Sequence, residues 1–412
     1  MAVVSIGNAL EWYDWNSYVA FAVLLGPQFF PNGSSTTAVL ETLAVFAVGF
    51  FFRPLGGALI GAFSDRHGRR AALTLSITLM AGGSLLIAVS PTYEQIGVLS
   101  AALLVLARAV QGISAGGEVT AMSTYVNEIA PPGHRGLYSS AIYISTTLGT
   151  LAATLLAVTL RTVLSPADLQ SWGWRLPFAL GALLGLYGWY LRRRVSETDV
   201  FDSAPDRAPH PTIEVLRRHP AATARVIGFT LGTTVVYYTF AVYLPTYAQH
   251  VHKIPVNSAL WAAVFAQLVF VAVLPLLGAL SDRYGRRPLL LVFGCGFTLL
   301  SPVLLGMVGA SALSLFAVMS VALVLFGCCA ASAPSAMLEL FPTRVRSSGI
   351  GLPYSLTVAV FGGTAPYLIE YLSSHGLGHW YRWYVVLLCL ISTVTFVLYR
   401  ETKDVDLAEA DR

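Results

Sequence analysis

Charged residues are scarce in this sequence. Asp, Glu, Lys and Arg together make up 11% of the 412 residues, whereas about 25% is usual for soluble domains. Apolar types account for 56%, and many form uninterrupted runs such as AALTLSITLMAGGSLLIAV at 71–89. Runs of roughly 20 apolar residues are long enough to cross a bilayer as helices. The composition therefore excludes a soluble globular domain and predicts a helical protein that crosses the membrane many times.

The sequence also lacks the motifs of nucleotide and metal chemistry. It contains no G-x-x-x-x-G-K-[ST] phosphate loop, so an ion gradient rather than ATP is the predicted energy source. Its four cysteines fall inside apolar runs, without the spacing of a metal or disulfide site. We interpret HVH (250–252) and HGLGH (375–379) as exposed loop residues. We predict no metal and no cofactor, and the net charge of +4 does not indicate nucleic-acid binding.

One pattern mimics a hydrolase. GISAG at 112–116 matches the G-x-S-x-G nucleophile motif, but it lies in a predicted membrane helix. Every histidine falls in a loop or at a helix end, so none is expected beside Ser114. Glycines four residues apart instead favour close packing between membrane helices. We therefore predict that the protein is not an enzyme.

Twelve segments have the length and apolar character of membrane spans. They lie near residues 3–25, 40–62, 71–90, 95–127, 137–160, 174–192, 222–247, 258–279, 288–308, 312–335, 348–372 and 380–399. The first contains acids and no basic leader, so we predict no cleavable signal peptide.

Lys and Arg are distributed unevenly between the loops. Eighteen fall on one side of the membrane, and only Arg161, Arg175, Lys253 and Arg382 fall on the other. Because positively charged loops remain in the cytoplasm, we predict a protein of the cell (inner) membrane with both termini cytoplasmic.

The chain repeats itself once. GAFSDRHGRRAAL (61–73) recurs as GALSDRYGRRPLL (278–290), and EIAPPGHRG (128–136) is echoed by ELFPTRVRSSG (339–349). Repeats of this kind predict two six-helix halves in parallel orientation. The predicted domains are an N-terminal bundle (1–192), a charged and proline-rich cytoplasmic linker with one short surface helix (193–220), a C-terminal bundle (221–399) and a short cytoplasmic tail (400–412).

Several motifs resemble one transporter superfamily. GAFSDRHGRR and RAVQGISAGGE resemble two signatures of the major facilitator superfamily. GNALEWYDW, RPLGG and WGWRLPF resemble its metabolite:proton symporter family, and FFPNGSSTTAVLETLAVFAVGFFFRP and GIGLPYSLTVAVFGGTAPYL look most like α-ketoglutarate permeases. The resemblance implies a twelve-helix fold in two pseudo-symmetric bundles, and a monomer that carries a small organic anion together with protons across the bilayer.

The substrate remains open at this point. A dicarboxylate such as α-ketoglutarate is the first expectation, and a monocarboxylate, a shikimate-like acid or a zwitterionic osmolyte such as proline or betaine is the alternative. Osmosensing relatives often add a C-terminal coiled coil, for which the tail after Tyr399 is too short. A nutrient sensor on a transporter scaffold is a remote alternative, and a channel is disfavoured because nothing resembles a repeated filter.

Two carboxylates, Glu11 and Asp14, interrupt the first span. They are three residues apart and therefore share a helix face, about 12–17 Å below the cytoplasmic surface. A charge at that depth costs at least ~2.5–3.5 kcal/mol unless it faces polar surroundings. Such acids bind ions, relay protons or pair with a base, so we predict proton coupling, with a structural ion pair as the alternative. Glu118, in the fourth span, is either a further proton site, a gate partner or the partner of a cytoplasmic arginine.

Two arginines are predicted to reach the middle of the bilayer. Arg53 lies twelve residues before Asp65 at the cytoplasmic loop, and Arg108 lies about thirteen residues into a span that starts outside. Two forked guanidinium groups suit a substrate with two carboxylates. The alternative is that either arginine only braces helices by binding backbone carbonyls.

The seventh span is rich in hydroxyl groups. GTTVVYYTFAVYLPTY places Thr233, Thr234, Tyr238, Thr239 and Tyr243 in an apolar context. These hydroxyls either orient the substrate or bond neighbouring helices. We predict Tyr238, Thr239 and Tyr243 as substrate-binding residues.

The repeated loop is predicted to form a gate. An Asp ends the span, a Gly permits the tight turn, and the following arginines meet lipid phosphates or acids. Each Asp is expected to face the positive N-terminus of a helix from the other half: Asp65 near Arg346, and Asp282 near Arg135. The alternative is a charge that only sets topology. The predicted gating residues are Gly61, Asp65, Gly68, Arg69, Arg135, Asp282, Gly285, Arg286 and Arg346.

Overall fold

The structure is a computed structural model that describes residues 2–31, 35–194, 196–202 and 209–403. Within these ranges it is helical and contains no strand. Six long helices form the first half: α1 Ala2–Phe29, α2 Ser35–His67, α3 Arg69–Ala88, α4 Val98–Glu128, α5 Arg135–Val163 and α6 Leu176–Arg192.

Six more helices form the second half, and two of them change geometry midway. They are α7 Pro220–Val236 with a π-helical segment Tyr237–Tyr243 and a final segment Leu244–His252, α8 Val256–Tyr284, α9 Arg286–Gly306, α10 Ala312–Leu338, α11 Arg346–Thr357 with a π-helical segment Val358–Gly362 and a final segment Ala365–Ser374, and α12 Gly378–Leu398. The short helices are Tyr93–Ile96, Pro166–Ser171, Gly173–Arg175, Asp199–Asp202, Pro211–Arg218 and Thr343–Val345.

The helices match the predicted spans. In the part of the chain that the structure describes, ten helices are long and apolar enough to cross a membrane. The other two are α1, whose middle carries Asn8, Glu11, Asp14 and Asn16, and α6, which at 17 residues is at the short end of what spans a bilayer. The predicted twelve-helix architecture is confirmed.

Glycines allow the helices to approach closely. A Cβ on Gly112 would lie 2.9 Å from the Cα of Gly49, and one on Gly116 would lie 2.8 Å from the backbone nitrogen of Gly57. Such contacts bring the backbones of α2 and α4 together, as the G-x-x-x-G interpretation predicts. Gly68 and Gly285 have φ of 101° and 104°, so the predicted tight turns are present and require glycine.

The apolar core is arranged around the two halves. Buried residues of the second half form one continuous cluster from Ala222 to Tyr399, which Val215 of the short helix Pro211–Arg218 joins, whereas the first half has two smaller clusters. A fourth cluster lies between the halves and joins Trp15 and Phe50 to Tyr238 and Val358. The division at residues 192 and 221 remains a prediction, and the cluster between the halves is where a central site would lie.

Candidate functional site

Asp65 joins the two halves at the C-terminal end of α2. Its Oδ1 accepts a hydrogen bond from the backbone N–H of Ser347 at 3.0 Å, and its Oδ2 accepts one from that of Ser348 at 2.8 Å. Both donors belong to the first turn of α11, where a negative charge is stabilised by the helix dipole. A Cβ on Gly61 would already lie 3.3 Å from the carbonyl oxygen of Ser347. The small residue one turn before Asp65 therefore permits this approach.

Asp282 makes the equivalent contact in the other direction. Its Oδ1 accepts the backbone N–H of Gly136 at 2.7 Å, and its Oδ2 accepts that of Leu137 at 2.9 Å, at the start of α5. The two contacts predicted from the repeat are therefore confirmed, and both cross from one half to the other.

Buried arginines connect each Asp to a glutamate. Arg69 lies 3.0 Å from Asp65 and 3.1 Å from Glu128, and Arg346 from the other half lies 2.9 Å from the same Glu128. The side chains of all four residues are fully buried. Of the two expectations for Arg69, lipid phosphate or acid, the structure shows acids.

The second half repeats this network. Arg286 lies 3.2 Å from Asp282 and 3.7 Å from Glu339, and Arg135 lies 3.2 Å from Glu339. Burial raises the pKa of Glu339 above its usual range, and the charge of Arg286 opposes that shift. With both networks formed, the two halves are held together at this end of the helices.

A cavity of about 30 Å³ lies between the halves, room for about two water molecules. Its lining residues come from both halves: Trp12, Arg53, Tyr143, Thr146, Thr233, Thr234, Tyr237, Tyr238, Phe326, Tyr354 and Val358. Arg53 is the charged residue among them. An organic acid would not fit into this closed form, so the cavity must enlarge to take a substrate.

Arg53 is buried without an acidic partner. Its side chain is 5% exposed, and it forms no salt bridge with any residue that the structure describes. Its Cζ lies 4.3 Å from the ring centroid of Trp15 and 4.6 Å from that of Phe50. The positive charge is stabilised by aromatic faces and remains available to an anion.

Arg108 lies outside the cavity lining, deeper in the first half. It is fully buried, its Nη1 donates to Gln111 at 2.7 Å, and its Cζ is 4.2 Å from the ring centroid of Trp15 and 4.4 Å from that of Tyr18. In this conformation the predicted pair of arginines is therefore not assembled into one clamp, because the Trp15 ring contacts both guanidinium groups.

Asp14 belongs to the same polar network as Arg108. It is 1% exposed and accepts hydrogen bonds from the Ser84 hydroxyl at 2.6 Å and from the Gln111 amide. Gln111 thus stands between Asp14 and Arg108. A Cβ on Gly181 would lie 2.8 Å from Asp14 Oδ1, so α6 presents only backbone here.

Glu11 lies in a different polar compartment. It borders a small cavity of about 10 Å³ together with Glu118 and Arg192, close to the volume that one water molecule needs. Arg192 Nη1 donates to Glu118 at 2.8 Å, its Nη2 also binds Glu118, and it contacts the carbonyl of Leu73. Arg192 is the last residue of α6 and is only 1% exposed, so it is part of the buried interior rather than of an exposed loop. The arginine partner expected for Glu118 as one alternative is present.

The comparisons with known proteins agree with this architecture. The family model described as Major Facilitator Superfamily matches residues 4–352 and 253–411. The chain belongs to the major facilitator superfamily. It is 37% identical over 406 residues to the alpha-ketoglutarate permease of Escherichia coli (strain K12), which covers 98% of this chain and 94% of that protein. It is a multi-pass membrane transporter.

Other relatives carry other small solutes. The chain is 33% identical to the citrate-proton symporter of Klebsiella pneumoniae (92% of this chain, 87% of that protein) and 30% identical to the proline/betaine transporter of E. coli (strain K12; 98% and 83%). Among solved structures, the proton:xylose symporter XylE bound to 6-bromo-6-deoxy-D-glucose has a TM-score of 0.80 at 19% identity, covering 100% of this chain and 97% of that one. That likeness shows the fold.

Two predicted substrate residues of this transporter lie away from the central cavity. Thr239 donates to the carbonyl of Val235 at 2.6 Å and shares a 2.7 Å hydrogen bond with the Tyr381 hydroxyl, so it joins α7 to α12. Tyr243 belongs to the core of the second half. Tyr238 does line the cavity. Roles for Thr239 and Tyr243 in binding remain predictions, and this conformation does not favour them.

Sequence reasoning missed six residues of these two networks: Glu128 and Glu339, described above, and two Glu-Thr pairs. Glu197 accepts the backbone N–H groups of Arg69 and Arg70 at 3.0 and 3.1 Å, and thereby caps α3. Glu401 caps α9 in the same way, through Arg286 and Arg287 at 3.0 and 2.9 Å.

The threonines that follow these two glutamates also bind the network. Thr198 donates to Glu128 at 2.6 Å, and Thr402 donates to Glu339. The signal was present in the sequence, since Glu-Thr follows the sixth helix of each half, in SETD (196–199) and RETK (400–403). Each Glu-Thr pair connects the end of a bundle to the Asp-Arg-Glu network next to it.

Proposed function

We propose that this transporter is a proton-coupled symporter of a small organic anion, with a dicarboxylate such as α-ketoglutarate as its substrate. The observation that carries the proposal is Arg53, a buried cation in the cavity between the halves with no carboxylate among the lining residues. A buried charge is costly unless it is paired, and a guanidinium binds a carboxylate through two parallel hydrogen bonds. A substrate that supplies the negative charge meets this requirement, and the named solutes of two relatives, α-ketoglutarate and citrate, do so.

The second acidic group of a dicarboxylate has hydroxyl partners across the cavity. Tyr237, Tyr238 and Tyr354 come from the second half, and Tyr143 comes from the first. Phenolic O–H groups donate hydrogen bonds to carboxylates. In this proposal one carboxylate binds Arg53 and the other binds tyrosines of the opposite half, so the substrate bridges the two halves. Arg108 acts indirectly, by stabilising the charged form of Asp14 through Gln111.

Asp14 is the proposed carrier of the coupled proton. A carboxylate in the membrane interior is costly and marks a proton or ion site. Asp14 is held by Ser84 and Gln111, and Gln111 also binds Arg108. Glu11 and Glu118 lie nearer the cytoplasm beside Arg192 and form a second proposed proton site. The pH gradient across the inner membrane then drives accumulation, and the protein needs no nucleotide.

Alternating access requires the cytoplasmic gate to open and close. The contacts of Asp65 with α11 and of Asp282 with α5 hold the cytoplasmic side shut, and they must break before substrate can leave to the cytoplasm. In this proposal both termini are cytoplasmic and a monomer suffices, because the cavity is completed by the two halves of one chain.

A zwitterionic osmolyte is the second candidate, and the aromatic residues that line the cavity support it. Trp12, Tyr237, Tyr238 and Tyr354 present aromatic faces, which attract quaternary ammonium groups, while Arg53 would bind the carboxylate. The proline/betaine transporter among the relatives also supports this candidate, because the solutes in its name are zwitterions. A zwitterion would then compete with the acids for the same cavity.

Uptake into proteoliposomes tests the proposal. Purified protein is reconstituted, and accumulation of labelled α-ketoglutarate, a monocarboxylate of similar size and betaine is measured with and without an inward proton gradient. We expect gradient-dependent accumulation of the dicarboxylate and competition by the monocarboxylate at least about tenfold weaker, because losing one charged hydrogen bond costs ~1.5–3 kcal/mol and 1.4 kcal/mol is a factor of ten. Equal inhibition by both acids would overturn the dicarboxylate assignment, and preferential accumulation of betaine would establish the second candidate.

A further inference from the structure

We propose that Trp15 couples substrate binding at Arg53 to protonation of Asp14. The inference rests on the proposed function, because it assigns the connection between the proposed substrate site and the proposed proton site. Trp15 contacts an arginine of each site: Arg53 lines the cavity between the halves, whereas Asp14 and Arg108 are sealed inside the first half.

The geometry places one ring against two cations. The Cζ atoms of Arg53 and Arg108 lie 4.3 and 4.2 Å from the ring centroid of Trp15. Trp is the aromatic side chain that attracts cations most strongly, and the attraction increases in a desolvated site. Trp15 is 4% exposed, so both contacts are shielded from water and from counter-ions.

The ring has little freedom to move independently. Phe46 and Phe50 pack against it with ring centroids 5.1 Å away, and a Cβ on Gly49 would lie 2.7 Å from its Cη2 atom and 3.2 Å from Arg108 Nη2. Because α2 confines the indole on that side, a change in its contact with Arg53 is transmitted towards Arg108.

Hydrogen bonds complete the connection to the proton site. Arg108 donates to Gln111 at 2.7 Å, and Gln111 donates to Asp14. The charged and titratable groups around Asp14 are Arg108 on α4 and Glu11, Tyr13 and Tyr18 on its own helix. The packed elements α3 and α6 face it with the neutral residues Ser84 and Gly181.

Substrate binding would act through charge. A carboxylate on Arg53 neutralises that guanidinium and weakens its attraction to the Trp15 ring. Arg108 then interacts more strongly with the ring and moves closer to it. The new position of Arg108 changes how well Gln111 and Arg108 stabilise the charged form of Asp14. Coupling between two binding sites is reciprocal, so protonation of Asp14 must alter substrate affinity at Arg53 by the same factor.

The test measures that factor directly. The Kd of α-ketoglutarate for the purified full-length protein is determined by calorimetry at an acidic and at a neutral pH. For the wild type we expect the two Kd values to differ by roughly 5- to 150-fold, the usual range of coupling between sites. Trp15→Leu should bring the ratio close to one, and Trp15→Phe should give an intermediate ratio, because Phe attracts cations less than Trp does.

Trp12→Leu is the matched control. Trp12 lies on the same helix and lines the same cavity, but its ring is 5.9 Å from Arg53 Cζ and it has no such contact with Arg108. It should change Kd at both pH values and leave their ratio as in the wild type. Trp15→Phe retains a ring against Phe46 and Phe50, so it tests the coupling role of Trp15 even if Trp15→Leu does not fold.

The outcomes separate the two proposals. A pH-dependent wild type with an unchanged ratio in both Trp15 variants would overturn the role of Trp15 and leave the proposed function intact. An equal loss of the ratio in Trp12→Leu would also overturn it, because any disturbance of the cavity would then suffice. A wild type whose affinity does not depend on pH would refute the proposed coupling itself, and this inference with it.

Discussion

Replacing Asp65 by Asn should shift the transporter towards an inward-open state. In the closed form, the two oxygens of Asp65 accept backbone N–H groups of Ser347 and Ser348 at 3.0 and 2.8 Å. Asn has one oxygen and no charge, so one of these hydrogen bonds is lost and the other is weakened. The inward-open state loses less, because the gate contacts across the halves are already broken there.

The size of the shift follows from the contacts. A charged group at a helix N-terminus is worth about 0.3–1 kcal/mol, and up to ~2 kcal/mol when it is partly buried. Asp65 is 1% exposed, so a loss of about 1–2 kcal/mol is expected, which corresponds to roughly a 5- to 30-fold change in the closed-to-open ratio. The change should be partial, because Arg69 still binds Glu128 and the Asp282 contact remains intact.

Distances between spin labels measure this ratio. His67 and Tyr284 are exposed at the C-terminal ends of α2 and α8, one in each half and on the side predicted to be cytoplasmic. Cysteines at these two positions, in a background with the four native cysteines replaced, would carry the labels. We expect the fraction of molecules with a long cytoplasmic distance to increase in Asp65→Asn.

Two further variants provide a second test and a control. Asp282→Asn removes the corresponding contact with α5 and should shift the distances in the same direction. Asp168→Asn changes an exposed acid in the short helix Pro166–Ser171 and should shift no distance. Unchanged distances in both gate variants would refute the reasoning, because the Asp contacts would then contribute nothing to closure.

Three other predictions concern the coupling, the substrate and the cytoplasmic network. Asp14→Asn and Glu11→Gln should abolish accumulation driven by a pH gradient, while at least one of them retains exchange of substrate across the membrane; normal accumulation in both would show that neither acid carries the proton. Arg53→Lys should weaken dicarboxylate binding about tenfold or more in competition assays, because a point charge does not replace a guanidinium fork, and wild-type affinity would place the anion elsewhere. Glu197→Gln and Glu401→Gln each keep one cap oxygen of a helix but lose the charge, so each should destabilise closure by about 0.3–1 kcal/mol, measured with the same spin labels; additive effects in the double variant would show that the two Glu-Thr pairs act independently.

The membrane fold and the Asp contacts between the halves could be predicted from the sequence because their signals are local and repeated. Apolar runs indicate membrane-spanning helices directly, because the thickness of the bilayer sets the length that such a helix needs. The Asp-x-x-Gly-Arg segment occurs twice, and two-fold pseudo-symmetry then implies which helix start each Asp meets. The Glu-Thr pairs at 197–198 and 401–402 obey the same symmetry and could have been found by extending the repeat to the end of each half.

The arrangement within the first half required the tertiary structure. Glu11 and Asp14 are three residues apart, which on a helix separates their directions by about 60° and their heights by about 4.5 Å. That small difference is enough to give the two acids different partners. Asp14 binds Ser84 and Gln111, whereas Glu11 borders the small cavity beside Glu118 and Arg192. The helix face was predictable, but the partners depend on which helices pack against it.

Helix packing also explains why Arg53 and Arg108 have different surroundings. Sequence position alone determined that Arg53 and Arg108 reach similar depth, because the rise per residue of a helix is fixed. Which of them faces the cavity depends on the rotation of α2 and α4 about their axes, and the contact through Gly49, Gly112 and Gly116 sets that rotation. Packing therefore leaves Arg53 open to an anion and places Arg108 behind Trp15, next to Asp14.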